Sequence, residues 1–157
     1  MMLLEARTGP VSLWLAAAQA SDGERPANQG RSPSAHLRPL RVLIVEDEFF
    51  IALDIEASLM ALGHVSVGIA VSGDEAVSVA GRERPDVVLM DIRLVGARDG
   101  IDTAQEIFSR FGIRCVFVTA NADEHTRQRA AALDPIGFLE KPLTMQRLEA
   151  TLATLSG

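Results

Sequence analysis

Val87-Val88-Leu89-Met90-Asp91-Ile92 is the stretch on which the fold turns. Four apolar residues run unbroken into a carboxylate, and the polar, glycine-containing segment Arg93 to Gly100 follows. An apolar run of this length without alternation is the pattern of a strand buried on both faces, as in a parallel sheet covered by helices. Asp91 then emerges at the strand's carboxyl end, where open α/β sheets hold their ligands. It is either a reactive carboxylate or simply the first polar residue of a loop.

Similar runs lie on either side. Val42-Leu43-Ile44-Val45 ends in Glu46-Asp47-Glu48, and Cys115-Val116-Phe117-Val118 ends in Thr119-Ala120. Val65 to Val71, β-branched and glycine-containing, predicts a strand near the sheet edge, and Ile136-Gly137-Phe138-Leu139 a short last strand before Glu140-Lys141-Pro142. Helical patterns fill the gaps. Residues 51, 55, 59 and 62 form an apolar stripe that Gly63 stops. Ser72 with Glu75 has the form of a capping box and predicts a helix to about Arg82. Ile101, Ala104, Ile107, Phe108 and Phe111 share a helix face before Gly112. Asn121 with Glu124 predicts a second capping box and a weakly amphipathic helix through Ala132. Met145, Leu148, Leu152 and Leu155 line a terminal helix. Pro135 is expected to stiffen the chain entering the last strand.

Five strands alternating with five helices imply an α/β fold with a parallel sheet and helices on both faces. Right-handed crossovers leave few topologies, and a flavodoxin-like, doubly wound (βα)5 order 2-1-3-4-5 leads them. In that order the chain reverses direction between strands 1 and 3, beside Glu46, Asp47 and Asp91.

Composition agrees with one ordinary domain plus a tail. The chain has 157 residues, 48% of them hydrophobic and 23% charged. Residues 1–39 carry four Arg against three acids, and the remainder carries eleven basic against eighteen acidic residues. The part beyond residue 39 therefore carries all the acidity behind the chain's net of −6, which argues against broad binding to nucleic acid. Aromatic residues are 4% with no Tyr, too few for base-stacking platforms. The single Cys115 lies inside an apolar run and reads as a buried structural thiol; with no partner for a disulfide, a reducing, cytoplasmic setting is expected. No apolar run reaches the roughly 18 residues of a membrane span. Ala18-Gln19-Ala20 imitates a signal-peptidase site, but Glu5 cancels Arg7 and Gly9-Pro10 interrupts the segment. A short surface helix or an upstream start codon are the plainer accounts. Ser21 to Pro39, with three prolines and two glycines, is expected to be a flexible linker, and the domain boundary is placed near Leu40, giving 1–39 and 40–157.

Four strand ends now carry polar groups at one sheet edge: Glu46 and Asp47, Asp91, Thr119, and Lys141. Three carboxylates in one crevice repel, so one takes a proton or a cation sits among them. A hard divalent ion with oxygen ligands, Mg²⁺, is the expected solution. Lys141 and the Thr119 hydroxyl would suit an anionic oxygen arriving opposite. Together these groups suit phosphoryl transfer onto a carboxylate. Acids and lysines at wet strand ends are common, so singly each of these residues favours a structural reading; their convergence at the switch point reverses it. His36, His64 and His125 lack metal-ligand spacing and read as surface or loop residues.

The four segments VLIVEDE at 42–48, VVLMDIRL at 87–94, VFVTA at 116–120 and FLEKP at 138–142, in this order, resemble the receiver domain of bacterial two-component response regulators. The resemblance covers about residues 40 to 156. It implies that Asp91 accepts phosphate from a histidine kinase or histidine phosphotransferase, and that Glu46, Asp47, Asp91 and the Arg93 backbone carbonyl hold Mg²⁺. It further implies that Thr119 moves to meet the phosphoryl group, that Lys141 pairs with it, that Lys141-Pro142 is cis, and that Phe138 is the switch aromatic. The loop after Asp91 departs from the family pattern, with Val95 in place of a frequent Pro and one extra residue before Asp99-Gly100.

The chain stops soon after its fifth helical pattern, so a stand-alone receiver is expected, a regulator rather than an enzyme. Its output would be phosphorylation-dependent binding of a protein target through the fourth helix, fifth strand and fifth helix, around Arg127, Arg129 and Phe138. A homodimer through that surface is open. Two alternatives stand beside this: an interaction module never phosphorylated, and an aspartyl phosphohydrolase, against which Arg93 stands where a second Asp would be needed.

Overall fold

The computed structural model describes residues 38–155. The expected signal-like segment and most of the expected linker lie outside the described residues. Strands β1 (Arg41–Val45), β2 (Val65–Ala70), β3 (Val87–Asp91), β4 (Cys115–Thr119) and β5 (Gly137–Glu140) alternate with helices α1 (Phe49–Ala61), α2 (Gly73–Glu83), α3 (Gly100–Phe111), α4 (Glu124–Ala131) and α5 (Met145–Ala153). The sheet is parallel throughout, in the order β2-β1-β3-β4-β5.

The unbroken apolar runs are the three central strands, and their pleat serves two cores. Leu43, Val45, Val88, Met90, Cys115 and Phe117 pack beneath α2 and α3, whereas Val42, Ile44, Val87, Leu89, Val116 and Val118 pack beneath α1 and α5. A strand with apolar residues on both pleat faces is stable only between two helical layers, which is why no polar alternation was written into these segments. The edge strands β2 and β5 are only partly buried.

Local chemistry sets the helix ends. The Ser72 hydroxyl accepts from Glu75 N–H, while the Glu75 carboxylate accepts from Val71 N–H rather than from the cap residue. Gly63 and Gly112, at φ +81° and +70°, follow α1 and α3 in the left-handed region. Helix α4 departs from the sequence expectation. Its cap is Asp123, whose Oδ1 accepts from Thr126 N–H at 2.8 Å, not Asn121. Asp123 offers a charged acceptor immediately before the first helical residue, whereas Asn121 lies three residues from it. Before β5, Asp134 adopts φ +48°, and the Arg114 guanidinium binds its carbonyl and side chain.

Gly100 is fixed by packing. A Cβ there would lie 1.9 Å from the Asp91 carbonyl oxygen, so only glycine lets α3 begin against the backbone of the β3 terminus. Gly100 N–H donates to the Ile92 carbonyl at 3.0 Å and closes the loop on itself.

Candidate functional site

Asp91 ends β3, 5% exposed, at the crevice where the chain reverses direction between β1 and β3. Its neighbours come from the ends of three other strands. Lys141 Nζ lies 2.9 Å from Asp91 Oδ2 and 2.6 Å from Glu46 Oε2, an ion-paired ammonium between two buried acids. The other Asp91 oxygen, Oδ1, accepts from the Arg93 backbone N–H at 2.9 Å. Glu46 Oε1 accepts from Glu48 N–H at 3.2 Å. Oxygens of Glu46, Asp47 and Asp91 all lie within 4.8 Å of one another. Thr119 is 3% exposed, and its hydroxyl finds no partner among the described residues. A buried hydroxyl without a partner carries a cost that an incoming acceptor oxygen would relieve.

Burial, reinforced by the nearby Asp91 charge and opposed by Lys141, pushes the Glu46 carboxyl above its ordinary value. Burial alone would lower the Lys141 ammonium, but its bonds to Glu46 and Asp91 outweigh that and hold it above its ordinary value. The crevice thus holds more negative charge than one lysine compensates. Three hard oxygen donors this close together fit a small divalent cation.

The structure brings together Glu46, Asp47, Asp91, Thr119 and Lys141, all at the carboxyl edge of the sheet. Arg93 joins through its N–H on Asp91, while its guanidinium reaches 3.0 Å to the Asn121 carbonyl. No carboxylic acid occupies the position two residues after Asp91, where an aspartyl phosphohydrolase would need its proton donor. The Lys141-Pro142 bond is cis. Phe138 sits apart from the acids, 43% exposed, with its ring stacked on that of buried Phe117 at 5.7 Å between centroids. It lines a groove of about 550 Å³ with Thr119, Arg127, Leu139 and Arg147.

Three features escaped the sequence reading. Phe50 and Val95, 83% and 75% exposed, line the crevice of about 840 Å³ that contains Asp47, Asp91 and Lys141. Phe49-Phe50 falls off the apolar stripe of α1, and that offset is the signal that could have revealed the wall. The Arg93 side chain, by contrast, had no sequence signal pointing to Asn121. His64 is more than a surface residue, since its Nδ1 accepts the Leu40 N–H at 3.2 Å.

A doubly wound α/β domain with a lysine-bridged acidic crevice at its switch point is the arrangement of a class of regulatory receiver modules. The chain belongs to the response regulator receiver domain family, whose model matches residues 42–153. It is 39% identical over 110 residues to the transcriptional regulatory protein PdtaR of Mycobacterium tuberculosis, covering 70% of this chain and 53% of that protein. It is 32% identical over 114 residues to the phyllosphere-induced regulator PhyR of Methylorubrum extorquens, covering 71% and 42%. The chain therefore matches about half the length of these curated relatives. Among solved structures, the signal receiver domain of a modulated diguanylate cyclase from Desulfovibrio desulfuricans is similar, with a TM-score of 0.72 and 36% identity, covering 75% of this chain and 94% of that one. The response regulator PhyR of Brucella abortus gives 0.64 and 33%, covering 76% and 49%. No helix among the described residues is long and apolar enough to cross a membrane.

Proposed function

We propose that this protein is a phosphoacceptor in a two-component relay, taking a phosphoryl group on Asp91 from a histidine kinase or histidine phosphotransferase in the cytoplasm. The observation that carries the reading is the environment of Asp91. A buried carboxylate is bonded to Lys141 and crowded by Glu46 and Asp47, and an unpartnered Thr119 hydroxyl is buried at the end of the neighbouring strand.

One Asp91 oxygen attacks the phosphorus of a phosphohistidine. The P–N bond breaks as the acyl phosphate O–P bond forms, and the imidazole leaves with the electron pair and takes a proton from solvent. Mg²⁺ held by Glu46, Asp47, Asp91 and the Arg93 carbonyl would neutralise charge on the transferring oxygens. Lys141 is placed to shift its bond from Asp91 Oδ2 to a phosphoryl oxygen, and the Thr119 hydroxyl donates to another. Phe138 then repacks against the groove beside Arg127 and Arg147, and the α4–β5–α5 surface changes its affinity for a protein target, or for a second copy of this chain. The exposed Phe50 and Val95 on the crevice wall support a donor that docks an apolar helical surface there. The receiver would span 40–157, with 1–39 as an extension.

Incubation with acetyl phosphate and Mg²⁺ should add one phosphoryl group by intact mass. Asp91→Asn should lose the addition completely, and chelation of Mg²⁺ should reduce it to background. Full labelling of Asp91→Asn would refute the reading.

A further inference from the structure

Helix α4 is tied to the start of α3 by one side chain. Arg129 donates from Nη1 to Asp99 Oδ2 at 2.9 Å and from Nη2 to Asp102 Oδ1 at 3.0 Å, a fork closed on two carboxylates. Little else holds α4 in place. Of its eight residues only Ala130 is buried, and the other long-range anchor on the helix is Arg127, which reaches Glu140 at 3.4 Å. The acceptors of the fork are not on a loose surface. Asp99 caps α3 through its other oxygen, which takes the Asp102 N–H, and the next residue, Gly100, is pressed against the Asp91 carbonyl and bonded to that of Ile92. The fork therefore ends one residue from the backbone of Asp91. At its other end α4 begins five residues after Thr119.

We propose that Arg129 is a latch, which holds α4 against α3 in the unphosphorylated protein and opens when Asp91 is phosphorylated. This rests on the proposed phosphorylation of Asp91. Movement of Thr119 toward a phosphoryl group drags residues 120–123 and the first turn of α4 after it. The Arg129 fork, anchored on the rigid start of α3, resists that displacement. The two pulls oppose each other between Thr119 and Arg129, and the weaker, exposed fork yields. Arg129 is a positioning residue here: it sets the balance between two arrangements of α4 and touches none of the reacting atoms.

The test uses amide hydrogen exchange on the full chain, wild type and Arg129→Gln, with and without acetyl phosphate and Mg²⁺, and intact mass on every sample. Loss of the fork should speed exchange in α4 of the unphosphorylated variant by about three- to tenfold, the factor two exposed ion pairs can supply, with α1 and α3 unchanged. Phosphorylation should produce the same acceleration in the wild type and add nothing further in the variant. Asp102→Ala, which removes an acceptor while leaving the Asp99 cap of α3 in place, should reproduce part of the effect, and Arg129→Lys should restore part of the protection. Unchanged α4 exchange in Arg129→Gln overturns the latch. Acceleration in the variant, with none in phosphorylated wild type of confirmed mass, overturns its release. If wild type gains no phosphoryl mass, the phosphoacceptor reading fails and the release falls with it, whereas the variant's exchange still decides whether the fork holds α4.

Discussion

Helix α3 buries Gly100, Ile101, Thr103, Ala104 and Ile107, whereas α4 buries Ala130. Both helices follow loops that rim the Asp91 crevice, and both carry an aspartate cap. The difference lies in what holds them down. Helix α3 is held by apolar burial and by a glycine pressed on the β3 backbone; α4 is held by arginines reaching neighbouring acids and carbonyls. Burial is insensitive to salt and to small charge rearrangements, while exposed ion pairs are weak and screened. The same crevice therefore has one rigid wall and one wall cheap to displace. If Asp91 takes a phosphoryl group as proposed, a rigid wall would hold the reacting groups while the displaceable one alters the surface.

The contrast is tested hardest by attacking the rigid wall. Ile107 is 1% exposed in the core beneath α3, and Ile107→Ala should cost about 2–5 kcal/mol in urea unfolding, the range for large-to-small changes in a packed interior. A loss below 1 kcal/mol would mean that α3 is not held by burial. Gly100→Ala comes next. Its Cβ meets backbone rather than a movable side chain, so a loss of about 1–3 kcal/mol is expected, together with slower phosphorylation because the start of α3 must back away from Asp91.

These walls were unequally legible in the sequence. The central strands announced themselves because an apolar run without alternation has one stable home, a sheet covered on both sides. The crevice followed, since polar residues at the ends of such strands must share one edge once the crossovers are right-handed. The rest lies in contacts that no local pattern encodes. Arg129 meets Asp99 and Asp102 across 30 and 27 residues, and Arg93 meets Asn121 across 28. The α4 cap was misread because Asn121 with Glu124 and Asp123 with Thr126 both satisfy a three-residue spacing, and the spacing alone does not tell them apart; it is the Asp123 carboxylate that takes the Thr126 N–H. Phe138 was legible as a position but not as a ring stacked on Phe117.

A polar anchor at the opposite end of the sheet separates charge from hydrogen bonding. His64 Nδ1 accepts the Leu40 N–H, and burial lowers the imidazole from its ordinary value. A histidine whose folded value is lowered binds fewer protons folded than unfolded, so stability is full above the unfolded value of about 6.5 and falls as pH drops below it. Protonation also converts the acceptor to a donor facing the Leu40 N–H. Thermal unfolding should show the midpoint falling from pH 7.5 to about pH 5.5, with His64→Ala flattening that part of the profile. The same variant at pH 7.5 should lose about 0.5–1.5 kcal/mol for the missing acceptor. Raised salt should leave the bond unaffected, unlike the arginine contacts of α4.

The smallest global effect is expected at α4 itself, and it is the most informative. Arg127→Ala combined with Arg129→Gln should lower the unfolding free energy by less than about 1 kcal/mol, because exposed ion pairs contribute little to a transition that melts the whole domain. The helix can open on its own without disturbing a core to which it contributes one alanine. Its contacts therefore appear in local exchange and are nearly silent in denaturant titrations. In about 1 M NaCl, where the Debye length shrinks to about 3 Å and exposed ion pairs weaken, exchange in wild-type α4 should move toward that of the double variant while α3 is unmoved. A drop of 2 kcal/mol or more in the double variant would show that α4 belongs to the cooperative core. The division into a rigid and a displaceable wall would then fail, because opening α4 would cost nearly as much as unfolding the domain.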